Sequence, residues 1–236
     1  MMISSKVDYD ISNLYIPKDS KEDIDIQKSF NATLTIIVRD KDGKVIKRYK
    51  QKSHSPTANF IGIMLPATYY ATTGSSWTYT TTSNSTFSYG ISMTSPYFGI
   101  IYPNNGSYGS NGDYLINILV GSGSQSNSYS AYNLALPIAN GSGTGQLLYS
   151  TPSIPTGITI NGNQAYFIVS QSYTNQSGGT VNITEVGIII NLYANGVGGS
   201  VSYSGNVLVW YDALSSPISV SNGQSVVIYY TFSVNA

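Results

Sequence analysis

Apolar and polar positions alternate with a period of two through much of this chain. In the closing run, Val226, Ile228, Tyr230, Phe232 and Val234 fall on one face, with Val227, Tyr229, Thr231 and Ser233 on the other. That is the pattern of a half-buried strand. The same reasoning predicts strands over 31–39, 44–50, 114–120, 132–138, 146–149, 165–173, 181–193 and 207–211, separated by Gly- and Asn-rich turns. The pair Asp42-Gly43 predicts a hairpin turn between the first two. Pro56, a capping Ser55 and the spacing of Phe60, Ile61, Met64 and Leu65 predict one short helix over 56–65, stopped by Pro66. Residues 67–112 are a long Thr/Ser/Tyr/Gly/Asn-rich excursion with short strands near 78–81 and 97–102. A loop of that length inside a compact domain usually serves a binding surface or a contact between subunits.

About eight strands joined by such turns specify an all-β protein, an antiparallel β-sandwich of jelly-roll type. The expected organisation is a charged N-terminal arm over 1–30 followed by a sandwich domain over 31–236. The arm mixes Lys, Asp and Ser with isolated Val7, Tyr9, Leu14, Tyr15 and Ile16. It reads equally as a segment that orders against a partner, a frayed terminus or a first edge strand.

Charge changes this picture more than length does. Charged residues make up 9% of the 236 residues, against about 25% in ordinary domains. Every Lys and Arg lies at or before Lys52, where 11 basic and 8 acidic groups give +3. Beyond Lys52 there is no base, and the only acids are Asp113, Glu185 and Asp212. Solubility there rests on hydroxyl and amide groups. Such a surface suits a protein covered by its neighbours, or one exposed to conditions in which titratable groups are a liability.

The chain has no Cys and one His. This excludes a disulfide-stapled module, a Cys-based zinc site, a Cys nucleophile and a multi-His metal centre. No catalytic residue, metal site or cofactor is expected. No run reaches the roughly 18 apolar residues of a membrane-spanning helix, and the acids Asp8, Asp10, Asp19 and Glu22 stand where a signal peptide would need an apolar core. His54 reads as a solvated residue of the Lys-rich rim. Nucleic acid is not an expected partner, because Asp40 and Asp42 sit beside that rim and no aromatic platform accompanies it.

Glu185 is anomalous inside an apolar strand and is expected either to face solvent or to accept backbone N–H groups or Tyr hydroxyls as a structural acceptor. Asp212 reads as a structural residue at the start of a turn, and Asp113 as a loop cap. A glycosidase pair would need two carboxylates on facing elements; three isolated acids offer little for one. The 21 Tyr suggest recognition, since Tyr combines a rigid face with a hydroxyl. Trp77, Tyr79, Tyr97, Tyr102 and Tyr108 are candidate interface or glycan contacts, while Trp210 is expected in the core. Six Asn-x-Ser/Thr triplets occur. Asn84, Asn105, Asn140 and Asn175, in loops, are better glycosylation candidates than Asn31 or Asn182 in strands.

Three stretches carry a resemblance. One runs from Leu119-Val120-Gly121-Ser122-Gly123 through Tyr132-Asn133-Leu134-Ala135 to Gly145-Gln146-Leu147-Leu148-Tyr149. The second is Gly178-Gly179-Thr180-Val181-Asn182-Ile183-Thr184-Glu185-Val186-Gly187. The third joins Pro217-Ile218-Ser219-Val220 and Gly223-Gln224-Ser225 to the closing strand. With a shorter patch over 50–65, these resemble the virion structural proteins of tailed phages and archaeal viruses. In those proteins a "Thr-Glu-Val-Gly" strand and a closing "Pro-Ile-x-Val … Gly-Gln" hairpin recur. The resemblance implies a β-sandwich built into a capsid, tail or fibre, located in the virion, without enzymatic residues. Its partners would be other copies, other virion proteins and a host surface glycan. The same chemistry also fits a cell-surface adhesin or filament subunit, or a carbohydrate-binding module.

Overall fold

A computed structural model describes residues 30–53, 55–60, 76–90, 116–195 and 202–235. Its strands, in chain order, are β1 (Asn31–Arg39), β2 (Val45–Lys52), β3 (Ser55–Pro56), β4 (Ser76–Thr80), β5 (Thr86–Gly90), β6 (Ile116–Gly121), β7 (Leu148–Tyr149), β8 (Thr159–Asn161), β9 (Gln164–Thr174), β10 (Val181–Asn195), β11 (Ser202–Val220) and β12 (Ser225–Asn235). They form two sheets, ordered β2-β1-β12-β9-β7, with β8 also on β9, and β3-β11-β10-β6; β4 and β5 make a separate hairpin. The ladders are antiparallel.

The two sheets pack face to face as a sandwich because each has one apolar face. Leu34, Ile36 and Val38 of β1 and Val226, Ile228 and Tyr230 of β12 meet Ile118 and Val120 of β6, Val186 and Ile188 of β10, and Ile218 and Val220 of β11. The alternation in β12 is the one predicted, with its even-numbered residues from Val226 to Phe232 buried. The β1–β2 turn is also as expected. Gly43 takes φ +81, and the Asp40 carboxylate accepts the N–H groups of Asp42 and Lys44 at 3.0 and 2.9 Å.

Other expectations need correction. The predicted helix begins later. Ser55 and Pro56 pair with Tyr211 and Trp210 at the edge of the second sheet, and only 58–60 are helical among the described residues. Pro56 can sit there because an edge strand tolerates a missing N–H. The short aromatic strand expected over 207–211 is the middle of the 19-residue β11, so Asp212 lies within a strand rather than at a turn. The stretch 132–138 forms no strand. Its first part belongs to a strap over the outer face of the second sheet, where Leu134 packs with Ile189, Leu208 and Tyr211 in a second, smaller core, and its end joins the main core through Ile138. The expected excursion contains the β4–β5 hairpin; the strand near 97–102, the arm up to residue 29, and His54 lie outside the described residues.

Register shifts make the second core possible. Ile183 pairs with Ile218 but Glu185 with Ala213, so five steps on β11 answer two on β10. Across this bulge the inward positions of β10 change parity, from Val181 and Ile183 to Val186, Ile188 and Ile190. Glu185, Gly187 and Ile189 thereby face outward, beneath the strap. A Cβ on Gly187 would lie 2.7 Å from the Leu208 Cδ1, 3.0 Å from the Trp210 carbonyl oxygen and 3.1 Å from the Leu134 Cδ2. Gly187→Ala is therefore expected to destabilise the fold by about 1–3 kcal/mol. Urea unfolding should show a lower midpoint at unchanged slope, and a midpoint equal to wild type would refute this packing.

Candidate functional site

Two buried carboxylates organise the described part of the body. Glu185 is fully buried. Its Oε1 accepts the Leu136 N–H at 2.8 Å and the Gly123 N–H at 3.2 Å. Its Oε2 accepts the Ala135 N–H at 3.0 Å and lies 3.1 Å from the Tyr211 hydroxyl, which is also 3.1 Å from the Gln125 carbonyl oxygen. The strap thus sends the Ala135 and Leu136 donors to one carboxylate and meets β6 only at its end, where the Ile138 N–H donates to the Val120 carbonyl at 2.8 Å and Pro137 bridges Gly121, so the apolar run at 132–138 makes a single bridge and not a strand. Glycine is needed at two places beneath it. A Cβ at Gly121 would lie 2.5 Å from the Glu185 Oε1, and one at Gly123 would lie 2.6 Å from that oxygen and from the Leu136 N.

Asp212 is also fully buried, but between the sheets. Its Oδ2 accepts the Tyr230 hydroxyl at 2.9 Å and a short hydrogen bond from the Ser53 hydroxyl, whose oxygen accepts the Trp210 indole N–H. This chain ties β11 to β12 and to the end of β2. The Ser53 backbone N–H is bound to the Ala32 carbonyl at 2.9 Å. Ser53 and Asp212 are 5% and 0% exposed, so the pair lies within the core. Among the described residues, no group of three or more His, Asp or Glu is placed to hold a metal ion. No helix among them is long and apolar enough to cross a membrane.

Above the Glu185 strap lies a groove of about 590 Å³ between the β4–β5 turn and residues 125–135. Hydroxyls, amides and Tyr132 dominate its lining, and no charged side chain takes part. The Asn133 amide donates to the Thr82 carbonyl at 3.1 Å, and the Gln125 amide to the Asn133 carbonyl at 2.9 Å, so the two walls are joined.

Trp77 and Tyr79 lie on β4, in register with Tyr89 and Phe87 of β5, and Tyr97, Tyr102 and Tyr108 lie outside the described residues. Asn84 and Asn140 are exposed, and Asn105 lies outside the described residues. Asn175 is corrected as a glycosylation candidate. It is fully buried, and its amide donates to the Gly179 and Val220 carbonyls at 2.8 and 2.6 Å. Sequence reasoning missed Ser53, Tyr211 and Tyr230, since nothing local marks a hydroxyl that finds its carboxylate across a sheet. It also missed Gln171, which accepts the Ile118 N–H and donates to the Ser150 carbonyl, both at 2.8 Å. Compared with protein-family models, with curated proteins and with solved structures, the chain matches none of them.

Removing the Glu185 carboxylate leaves three part-buried backbone donors without their acceptor, at about 1–3 kcal/mol for each group that stays unsatisfied. Glu185→Ala is expected to cost at least about 3 kcal/mol in total and to speed hydrogen exchange at Gly123, Ala135 and Leu136. Wild-type exchange at those amides would refute the clamp.

Among the described residues, four tyrosines set the alkaline limit. Burial pushes the Tyr149, Tyr173, Tyr211 and Tyr230 hydroxyls above their ordinary value of 10.0; neighbouring Glu185 adds to the rise at Tyr211, and Asp212 at Tyr230. The unfolded chain releases these protons near pH 10 while the folded chain keeps them. Their contribution to stability is therefore whole below pH 10 and is lost as pH rises above it. The expected fall is about 1.4 kcal/mol per tyrosine per pH unit. Urea midpoints measured from pH 8 to 11.5 should be level and then drop, and a flat profile to pH 11.5 would contradict this.

Proposed function

We propose that this chain is a non-enzymatic structural subunit of a virus particle, assembling with other copies and other virion proteins into a capsid, tail or fibre. One observation carries the reading. Among the described residues beyond Lys52, the only charged side chains are Glu185 and Asp212, and both are fully buried. The described surface of the body therefore carries no formal charge, and neither its contacts nor its shape depends on exposed ion pairs. A protein living alone in solution relies on surface charge to oppose self-association, whereas a subunit enclosed by copies of itself does not. Exposed apolar groups on this neutral surface, among them Tyr129, Leu136, Ile158 and Ile160, give neighbours something to cover. The resemblance over 110–234 and the charged arm, which would reach an adjacent subunit, agree with it.

A carbohydrate-binding module is the second reading, favoured by the charge-free groove lined by Asn84, Gln125 and Tyr132. Neutral hydroxyls and amides beside a Tyr match a neutral sugar, and specific retention on a glycan array would support it.

Light scattering of the purified chain across concentration, at acidic and neutral pH, beside a variant lacking residues 1–30, tests the first reading. A closed oligomer or polymer that is altered on removing the arm is expected. A monomer under every condition would overturn self-assembly.

A further inference from the structure

We propose that residues 22–27 of one copy add as an antiparallel strand to the outer edge of β2 in a second copy. This rests on the assembly reading above and names the contact through which the copies join.

The edge is open and charged. β2 ends the first sheet, so one row of its backbone groups has no ladder partner among the described residues. Tyr49 and Gln51 face inward opposite buried Ile36 and Leu34, and they bind Ser215 and the Ala213 carbonyl of β11. Arg48, Lys50 and Lys52, opposite Ile37, Thr35 and Thr33, are exposed on the outward face. Three cations in a row oppose pairing of β2 with another β2 and leave the edge open to a strand of opposite charge.

Only one part of the chain offers such a strand. The described body surface has no acid, and the Asp40 carboxylate is engaged in its own turn. Six of the 11 acidic residues precede Phe30. Within them, Asp23-Ile24-Asp25-Ile26-Gln27 alternates with the period of a strand. Laid along β2 with Ile24 and Ile26 inward beside Tyr49, it sets Asp23 and Asp25 beside Lys52 and Lys50.

Reach decides which copy supplies it. In that antiparallel register Gln27 lies level with Arg48. Asn31 precedes Thr33, the partner of Lys52, by two residues, so its level is about 20 Å away along the strand and about 10 Å across two strand spacings. Four residue steps span at most about 14 Å. The strand therefore comes from another molecule.

The chain has no Cys, so engineered cysteines report the contact. Separately tagged full-length Asp25→Cys and Lys50→Cys chains, mixed and oxidised, should form a disulfide-linked heterodimer, while Lys41→Cys at the turn should not link to Asp25→Cys. The charge-reversed variant Asp23→Lys/Asp25→Lys should raise the concentration for half-assembly about tenfold or more. Pairing it with Arg48→Asp/Lys50→Asp chains should restore it. Lys41, Arg48 and Lys50 are exposed, and urea unfolding of each variant monitors the fold separately from assembly. If wild type assembles but no link forms and charge reversal has no effect, this contact is refuted and the assembly reading stands. An intrachain link in a monomeric Asp25→Cys/Lys50→Cys chain would also overturn it, in favour of a parallel strand folded back on its own copy. If wild type is monomeric throughout and nothing links, both readings fall.

Discussion

The Glu185 carboxylate gathers three backbone donors that no strand satisfies. A sheet face covered by irregular chain must satisfy that chain's backbone donors, because a buried N–H without a partner is costly. Here three of them, from Gly123, Ala135 and Leu136, converge on one side chain. The bulge that turns Glu185 outward, the glycines that clear space for it and the Leu134 contact that closes the strap all follow from that convergence. The groove above inherits its shape from the same strap, so the neutral wall around Gln125 and Asn133 is positioned by a buried charge that never reaches its surface.

Asp212 plays a related part between the sheets. Two flat apolar faces can slide, and hydrogen bonds of fixed direction oppose this. The path from Trp210 through Ser53 to Asp212 and Tyr230 holds β11 in register with β12. Tyr173 adds a second cross-sheet bond to the Ile118 carbonyl at 2.6 Å. The large Tyr content therefore has two uses. Some rings are core residues whose hydroxyls satisfy buried acceptors, and others, such as Tyr129 and Tyr132, are exposed.

Burying both carboxylates also segregates charge. Beyond Lys52 the described surface is neutral, whereas the β1–β2 hairpin is strongly basic and the stretch before Phe30 is rich in acid. Among the described residues, formal surface charge is therefore confined to the β1–β2 hairpin, and any contact made by the described part of the body rests on shape, apolar cover and neutral hydrogen bonds. Contacts of that kind are nearly indifferent to salt and, below the tyrosine range, to pH.

The sequence by itself determined the class of fold, the β1–β2 and β11–β12 turns, the buried face of β12, the core placement of Trp210 and the confinement of basic charge to the first 52 residues. These are local matters, set by side-chain period, by glycine and aspartate turn chemistry, and by composition. Only the tertiary structure decided the rest. The run 132–138 has the composition of a strand, yet Ala135 and Leu136 turn their N–H groups to a carboxylate and only its end meets β6. Asp212 looked like a turn residue until β11 continued through it. Asn175 matched a glycosylation triplet until Gly179 and Val220 took its amide hydrogens. In each case the deciding partner is distant in the chain or lies on another strand. A residue's period shows which face it joins, but not which long-range acceptor or donor will meet it there.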